Sequence, residues 1–188
     1  MKKIEEYLNK IREWGNRTRL RINGTTQAQG LKLLSEFGEI AEGIKKNNIE
    51  EIKDGIGDVI VVAIMLEGIL QNKEGYKQTI VIPENLNTQE QSTNESVDEI
   101  MLNVNIVLGK LSDAILKKQK NIIELINSLI IELNKLATKY NMTLEECLEQ
   151  SYNEIKDRNG ILTPDGVFVK STDPEYERIK KLYSWKDY

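Results

Sequence analysis

The chain contains no histidine among its 188 residues. That absence removes Ser-His-Asp and Cys-His catalysis, histidine-ligated zinc and facial-triad iron together. Cys147 is the only cysteine, so neither an intrachain disulfide nor a thiolate cluster can form. It falls beside Leu144 and Leu148 in an expected helix and reads as a small packing residue. Proline occurs three times, at Pro83, Pro164 and Pro174, and never inside a periodic segment. No apolar stretch approaches ~18 residues, so no transmembrane helix is expected. Met1-Lys2-Lys3 is not followed by an apolar run, so no signal peptide is expected and the cytoplasm is the default compartment. The net charge of −4 gives no basic excess to support bulk nucleic-acid binding.

What remains for chemistry is carboxylate and amide oxygen, lysine and arginine. Hard cations such as Mg²⁺ or Mn²⁺ suit that set. The length fits one domain over residues 1–188, with enough chain for a core.

The apolar periodicity is helical. Residues 3–15 place Ile4, Tyr7, Leu8, Ile11 and Trp14 on one side. Residues 16–25 read as a polar, basic loop, with Thr25 or Thr26 as N-cap of a helix over about 27–46. A second long helix is expected over about 50–71. Residues 72–96 read as a polar surface loop, with a short extended piece at Thr79–Ile82 and a polar stretch over Glu84–Ser96. A heptad-like stripe from Val97 to Leu136 predicts two helices broken at 117–121, and is core or dimer interface. Thr143 and Glu146 form a capping-box signal, and that helix is expected to end near Asn159-Gly160. Ile161–Lys170 reads as a hairpin turned by Pro164-Asp165-Gly166. The tail, 171–188, is expected to pack back through Tyr183 and Trp185. The fold class is therefore all-α, a helical bundle with a short C-terminal β-hairpin.

Chemistry concentrates in two acidic runs. The first is Ser35-Glu36-Phe37-Gly38-Glu39-Ile40-Ala41-Glu42; the second, Asp54-Gly55-Ile56-Gly57-Asp58, opens into Val59–Leu66. Those eight residues are apolar on every side of a helix, so the helix is expected to be buried. Carboxylates entering a buried helix are costly unless paired or bound to a cation. Glu36 and Glu39 share a face, as do Asp54 and Asp58. If the two helices pack, four carboxylates converge with few local cations, and a divalent metal balances them. Lys32 lies on the same sector as Glu36 and Glu39, placed either to hold a phosphate oxygen or to pair with the acids. Gly55 and Gly57 leave room for another helix, a metal or a substrate. Plainer readings stand beside these: glutamates three apart are common on solvated faces, aspartates near a helix start favour its dipole, and Trp14 reads as a core anchor ahead of a base platform.

The run from Leu31 to Glu42, followed by Asp54-Gly55-Ile56-Gly57-Asp58-Val59, resembles the MazG-like all-α nucleoside triphosphate pyrophosphohydrolases, in their small phage-type branch. Leu144–Leu148, Tyr152–Gly160 and Gly166–Lys170 resemble the same branch. Glu36 and Glu39 match the second and third glutamates of the family motif, and Asp58 its aspartate. Ser35 stands at the first glutamate's position and Gly55 at the fourth acid's, with Asp54 one residue earlier. The resemblance implies a Mg²⁺-dependent enzyme that hydrolyses (d)NTP to (d)NMP and pyrophosphate, in nucleotide-pool control or house-cleaning. It implies a homodimer or homotetramer acting on nucleotides, while the charge balance and the lack of a long apolar stretch predict no nucleic-acid or membrane partner. Glu36, Glu39, Asp54 and Asp58 would hold metal, with Glu36 or Glu39 taking the proton of the attacking water. Lys32, Lys156 and Arg158 would neutralise phosphate, Asn153 would read a base or sugar edge and Trp14 would stack on a base. The alternative is a catalytically impaired relative acting as a nucleotide- or protein-binding helical module, motivated by Ser35 and Gly55.

Overall fold

The computed structural model describes residues 2–82, 86 and 93–183. Helix α1 spans Lys2–Arg17. It buries Ile4, Leu8, Ile11 and Trp14, the stripe expected from their spacing. The segment after it is not the polar loop expected from its composition. Arg19 takes a left-handed conformation (φ 61°), and a helical turn, α2, follows over Leu20–Asn23. Leu20 and Arg21 are both buried there.

Helix α3 runs over Thr26–Lys46, and the Thr25 hydroxyl accepts from the Ala28 N–H to cap it. Asn47, at φ 55°, ends it. Asn48 then caps α4, Ile49–Lys73, by accepting from the Glu51 N–H. A connection of two residues makes α3 and α4 an antiparallel pair. They pack closely: a Cβ on Gly43 would press on Ile52, and one on Gly55 would collide with Ile40.

Helix α5, Val97–Leu116, opens with a capping box of Ser96 and Glu99. Helix α6 covers Ile122–Lys139. The break between them falls where the heptad stripe loses its apolar residues, and Lys118 makes the turn at φ 51° without a glycine. The stripe faces inward: Val104, Leu108, Leu111, Ile126, Leu129, Leu133 and Leu136 are all buried, so it is core. Helix α7, Leu144–Ile155, starts with the expected box of Thr143 and Glu146. It stops four residues short of Asn159-Gly160, since Lys156 and Asp157 already form a turn in which the Arg158 N–H donates to the Ile155 carbonyl, and Gly160 begins strand β1, Gly160–Leu162. Strand β2, Phe168–Lys170, pairs antiparallel with β1, Ile161 opposite Val169. Gly166 supplies the positive φ of the turn, at 87°. Helix α8, Tyr176–Tyr183, buries no residue. Tyr183 is half-buried; Trp185 lies outside the described residues, as does most of the stretch 84–96. The segment Thr79–Ile82 is irregular rather than a strand. Among the described residues no helix is long and apolar enough to cross a membrane.

Helix α4 is the hub, packing against α3, α7, α2, α1 and α6. It also carries a fully buried carboxylate, Glu67. Arg12 donates to it through Nε and Nη2, both at 3.2 Å. Arg21 Nη2 donates at 2.8 Å, and the Ile80 N–H donates at 2.8 Å. Arg12 Nη2 also donates to the Ile80 carbonyl at 3.1 Å. This network ties α1, α2 and the segment after α4 to the middle of the bundle. Replacing Glu67 by Ala would leave the buried Arg21 guanidinium without its anion and Arg12 with Glu5 alone. The expected loss is about 3–5 kcal/mol, measured by urea unfolding; a loss under ~1 kcal/mol would show that the network contributes little.

Candidate functional site

A cleft of about 340 Å³ opens where α3, α4, the end of α7 and the hairpin meet. Helix α3 presents Gln29, Lys32, Glu36 and Glu39 to it, residues spaced three or four apart and therefore on one face. Helix α4 presents Asp54 and Asp58, then Val61, Val62 and Met65. Glu154 and Arg158 enter from α7 and the residues after it, Phe168 and Lys170 from β2, and Trp14 from α1.

Seven residues singled out in the sequence thus line one cleft: Trp14, Lys32, Glu36, Glu39, Asp54, Asp58 and Arg158. Asn153 and Lys156 do not line it. They are exposed on α7 and its end, and Lys156 Nζ donates to Asn153 Oδ1 at 3.0 Å. Lys32 forms an ion pair with Glu36, one turn on. Trp14 donates from Nε1 to the Arg158 carbonyl at 3.3 Å and stands edge-on to Phe168, ring centroids 6.0 Å apart.

Sequence reasoning passed over Glu154, Gln29, Phe168 and Lys170. The signals were present. Gln29 continues the face of Lys32 and Glu36, and Glu154 shares a face with Ser151 and Arg158 at spacings of three and four. Phe168 and Lys170 are two apart on a strand and so point the same way.

The glycines of the second acidic run set the geometry. A Cβ on Gly57 would overlap the Cys147 carbonyl and the Ser151 hydroxyl, so α7 lies directly on α4 there. Gly55 admits Ile40 of α3. Of the three possible occupants of that space, a neighbouring helix fills it at both positions. A longer side chain at 55 has no room, so the acid on this stretch sits at Asp54 instead. Ser35, at the family's first glutamate position, is exposed.

Five carboxyl groups line the cleft against three cations, Lys32, Arg158 and Lys170. Burial, then the charges of Asp58 and Glu154, push the Asp54 carboxyl up to about 7. Burial and then Glu36 push Asp58 up to about 6, opposed by the Ser151 hydroxyl and Arg158. Glu39 is raised as well, by burial first and Glu36 second. One Asp54 oxygen, Oδ1, is buried with no hydrogen-bond partner. An orphaned carboxylate oxygen in an acid-rich, histidine-free cleft fits a hard divalent cation. Among the described residues, however, no three carboxyl groups are gathered closely enough to hold one as they stand.

Comparison with known proteins agrees with the resemblance read from the sequence. Residues 25–91, which include all four acidic candidates, match the MazG nucleotide pyrophosphohydrolase domain. The chain is 25% identical over 159 residues to the uncharacterized 18.2 kDa protein in the rep-hol intergenic region of Haemophilus phage HP1. That similarity covers 79% of this chain and 98% of the phage protein, in keeping with the phage-type branch. No solved structure matches the chain.

The raised carboxyls have a consequence for stability. Asp54 and Asp58 hold protons in the folded chain that the unfolded chain, at an ordinary 3.8, has lost. Their stabilising contribution is therefore full below about pH 4 and disappears as pH rises through about 6–7. In metal-free buffer the wild type should lose stability relative to Asp54→Asn between about pH 4 and 7. Paired urea midpoints measure this; a difference that stays constant across that range would contradict the cluster.

Proposed function

We propose that the chain is a divalent-metal-dependent nucleoside triphosphate pyrophosphohydrolase, cleaving between the α- and β-phosphates to give a nucleoside monophosphate and pyrophosphate. The observation that carries this reading is the acid-lined cleft, with its orphaned Asp54 oxygen, inside the stretch that matches the MazG domain. Glu36, Glu39, Asp54 and Asp58 are the proposed ligands of Mg²⁺ or Mn²⁺, and Glu154 is positioned to join them. When bound, the ion supplies Lewis-acid polarisation of the phosphate.

The chain's own groups do the rest. Arg158 and Lys170 face the cleft and neutralise the phosphate charge that the ion leaves, with Arg158 suited to bidentate contact. Lys32, already paired with Glu36, holds that carboxylate in place. Glu39 is the proposed general base. With no ion bound, its carboxyl is raised by burial and by Glu36. The whole chain is proposed to act as one MazG-like domain, since one core cluster runs from Ile4 to Ile155. A cytoplasmic homodimer or homotetramer in nucleotide-pool control fits this reading. The exposed Leu31 and Leu34 of α3 and the exposed Leu102 and Ile106 of α5 are candidates for its interface.

A second reading is a relative that binds nucleotide without turnover. Ser35 and Gly55 in place of two acids, and the absence of three gathered carboxyls among the described residues, favour it. Pyrophosphate release from a panel of canonical and modified (d)NTPs, with Mg²⁺ and with EDTA, separates the two. Metal-dependent release is expected, and Glu39→Gln should lower it at least ~100-fold with helicity unchanged. Folded protein that releases nothing from any nucleotide would remove the hydrolase and favour the second reading.

A further inference from the structure

The cleft has two chemically different ends. Helices α3 and α4 are antiparallel, and Ile40 meets Gly55 while Gly43 meets Ile52. Glu36 therefore lies level with Asp58, and Gln29 level with Met65. Seven helical residues separate Glu36 from Gln29, about 10 Å along the axis. One end holds the acids. The other is walled by Trp14, Leu20, Val61, Val62 and Met65, with Phe168 against Trp14.

Gln29 is the one uncharged amide or hydroxyl side chain lining the cleft among the described residues. It is 6% exposed, yet its carboxamide makes no hydrogen bond to any described residue. Its amide atoms are not sealed in the core either, since they are absent from the buried, unpartnered polar atoms. A carboxamide that is neither sealed nor paired and lines a cleft faces that cleft. Without a protein partner, its donor and its acceptor are both open to a ligand in the cleft.

We propose that Gln29 reads the edge of a nucleobase seated in the apolar end of the cleft, and so sets base specificity. A carboxamide offers a donor and an acceptor side by side. It matches the adjacent donor and acceptor on the hydrogen-bonding edge of a base, as side-chain amides do with adenine. The apolar walls take the faces of the ring. The distance from Gln29 to the acids is one nucleoside long, so the base sits at Gln29 while phosphate reaches the carboxylates. Asn153, the amide that the sequence offered for this task, is outside the cleft and occupied by Lys156.

The proposal rests on the nucleotide reading of this cleft but not on turnover, and its test uses no phosphate or metal. Trp185→Phe leaves Trp14 as the only tryptophan, and its emission reports a ligand entering beside it. Titration with the 2′-deoxynucleosides of uracil, thymine, cytosine, adenine and guanine is expected to show saturable binding of at least one. Gln29→Leu, of similar size, should weaken that binding roughly 10- to 100-fold at an unchanged unfolding midpoint. Gln29→Glu, which keeps the shape and loses the donor, should weaken it as well. Equal affinity in both variants, or no nucleoside bound by the folded wild type, would overturn the proposal. Pyrophosphate release separates the two readings. No release with Gln29-dependent nucleoside binding would sink the hydrolase and leave this inference standing. Normal release with binding indifferent to Gln29 would sink this inference alone.

Discussion

Helix α4 buries every residue from Gly55 to Leu70 except Asp58, which is half-buried. A helix enclosed on that many sides must be reached by its neighbours at backbone distance somewhere, and the two glycines decide where. Gly55 receives Ile40 of α3, and Gly57 receives the Cys147–Ser151 turn of α7. Those two contacts bring three helices together at the level of Asp54 and Asp58. The acidic cleft is thus a product of helix packing as much as of acidic residues.

The same enclosure explains the two ways the protein handles buried carboxylates on one helix. Glu67 is fully buried and fully answered, with two arginines and a backbone N–H around it. Such a group links α1, α2 and the segment after α4 to one helix. Asp54 and Asp58 lie about three turns away and are answered only in part: Ser151 and Arg158 stand by Asp58, the other neighbours are mostly acids, and one Asp54 oxygen has no partner. A structural carboxylate and an unsatisfied one look alike in composition. They differ in whether the fold supplies enough cations, and that difference makes Asp54 and Asp58 the candidate place for chemistry.

The α7–hairpin segment has a corresponding double role. Its backbone holds α1 in place, through Trp14 and Arg158 and through Arg17 donating to the Lys156 carbonyl at 2.5 Å. The Thr25 hydroxyl, which caps α3, also donates to the Asp165 carbonyl at the hairpin turn. The hairpin is therefore anchored to the start of the helix that carries Gln29, Lys32, Glu36 and Glu39. Its side chains at Phe168 and Lys170 close one side of the cleft.

Much of this was legible in the chain itself. Period and caps gave the α3–α4 pair, the break near 117–121, the capping box at Thr143 and the hairpin, because each depends on local backbone preference. The four acids were legible because helical spacing places them on shared faces whatever the fold. The tertiary structure decided the rest. It drew residues 16–25 into a helical turn because Leu20 and Arg21 have core partners that a local reading cannot see. It put Asn153 and Lys156 outside the cleft although they lie within a turn of Glu154, because α7 turns only one face to α4. It brought in Gln29, Phe168 and Lys170 across the bundle, and it chose which buried carboxylate is neutralised. Spacing along a chain fixes which side chains share a face; only packing fixes what that face meets.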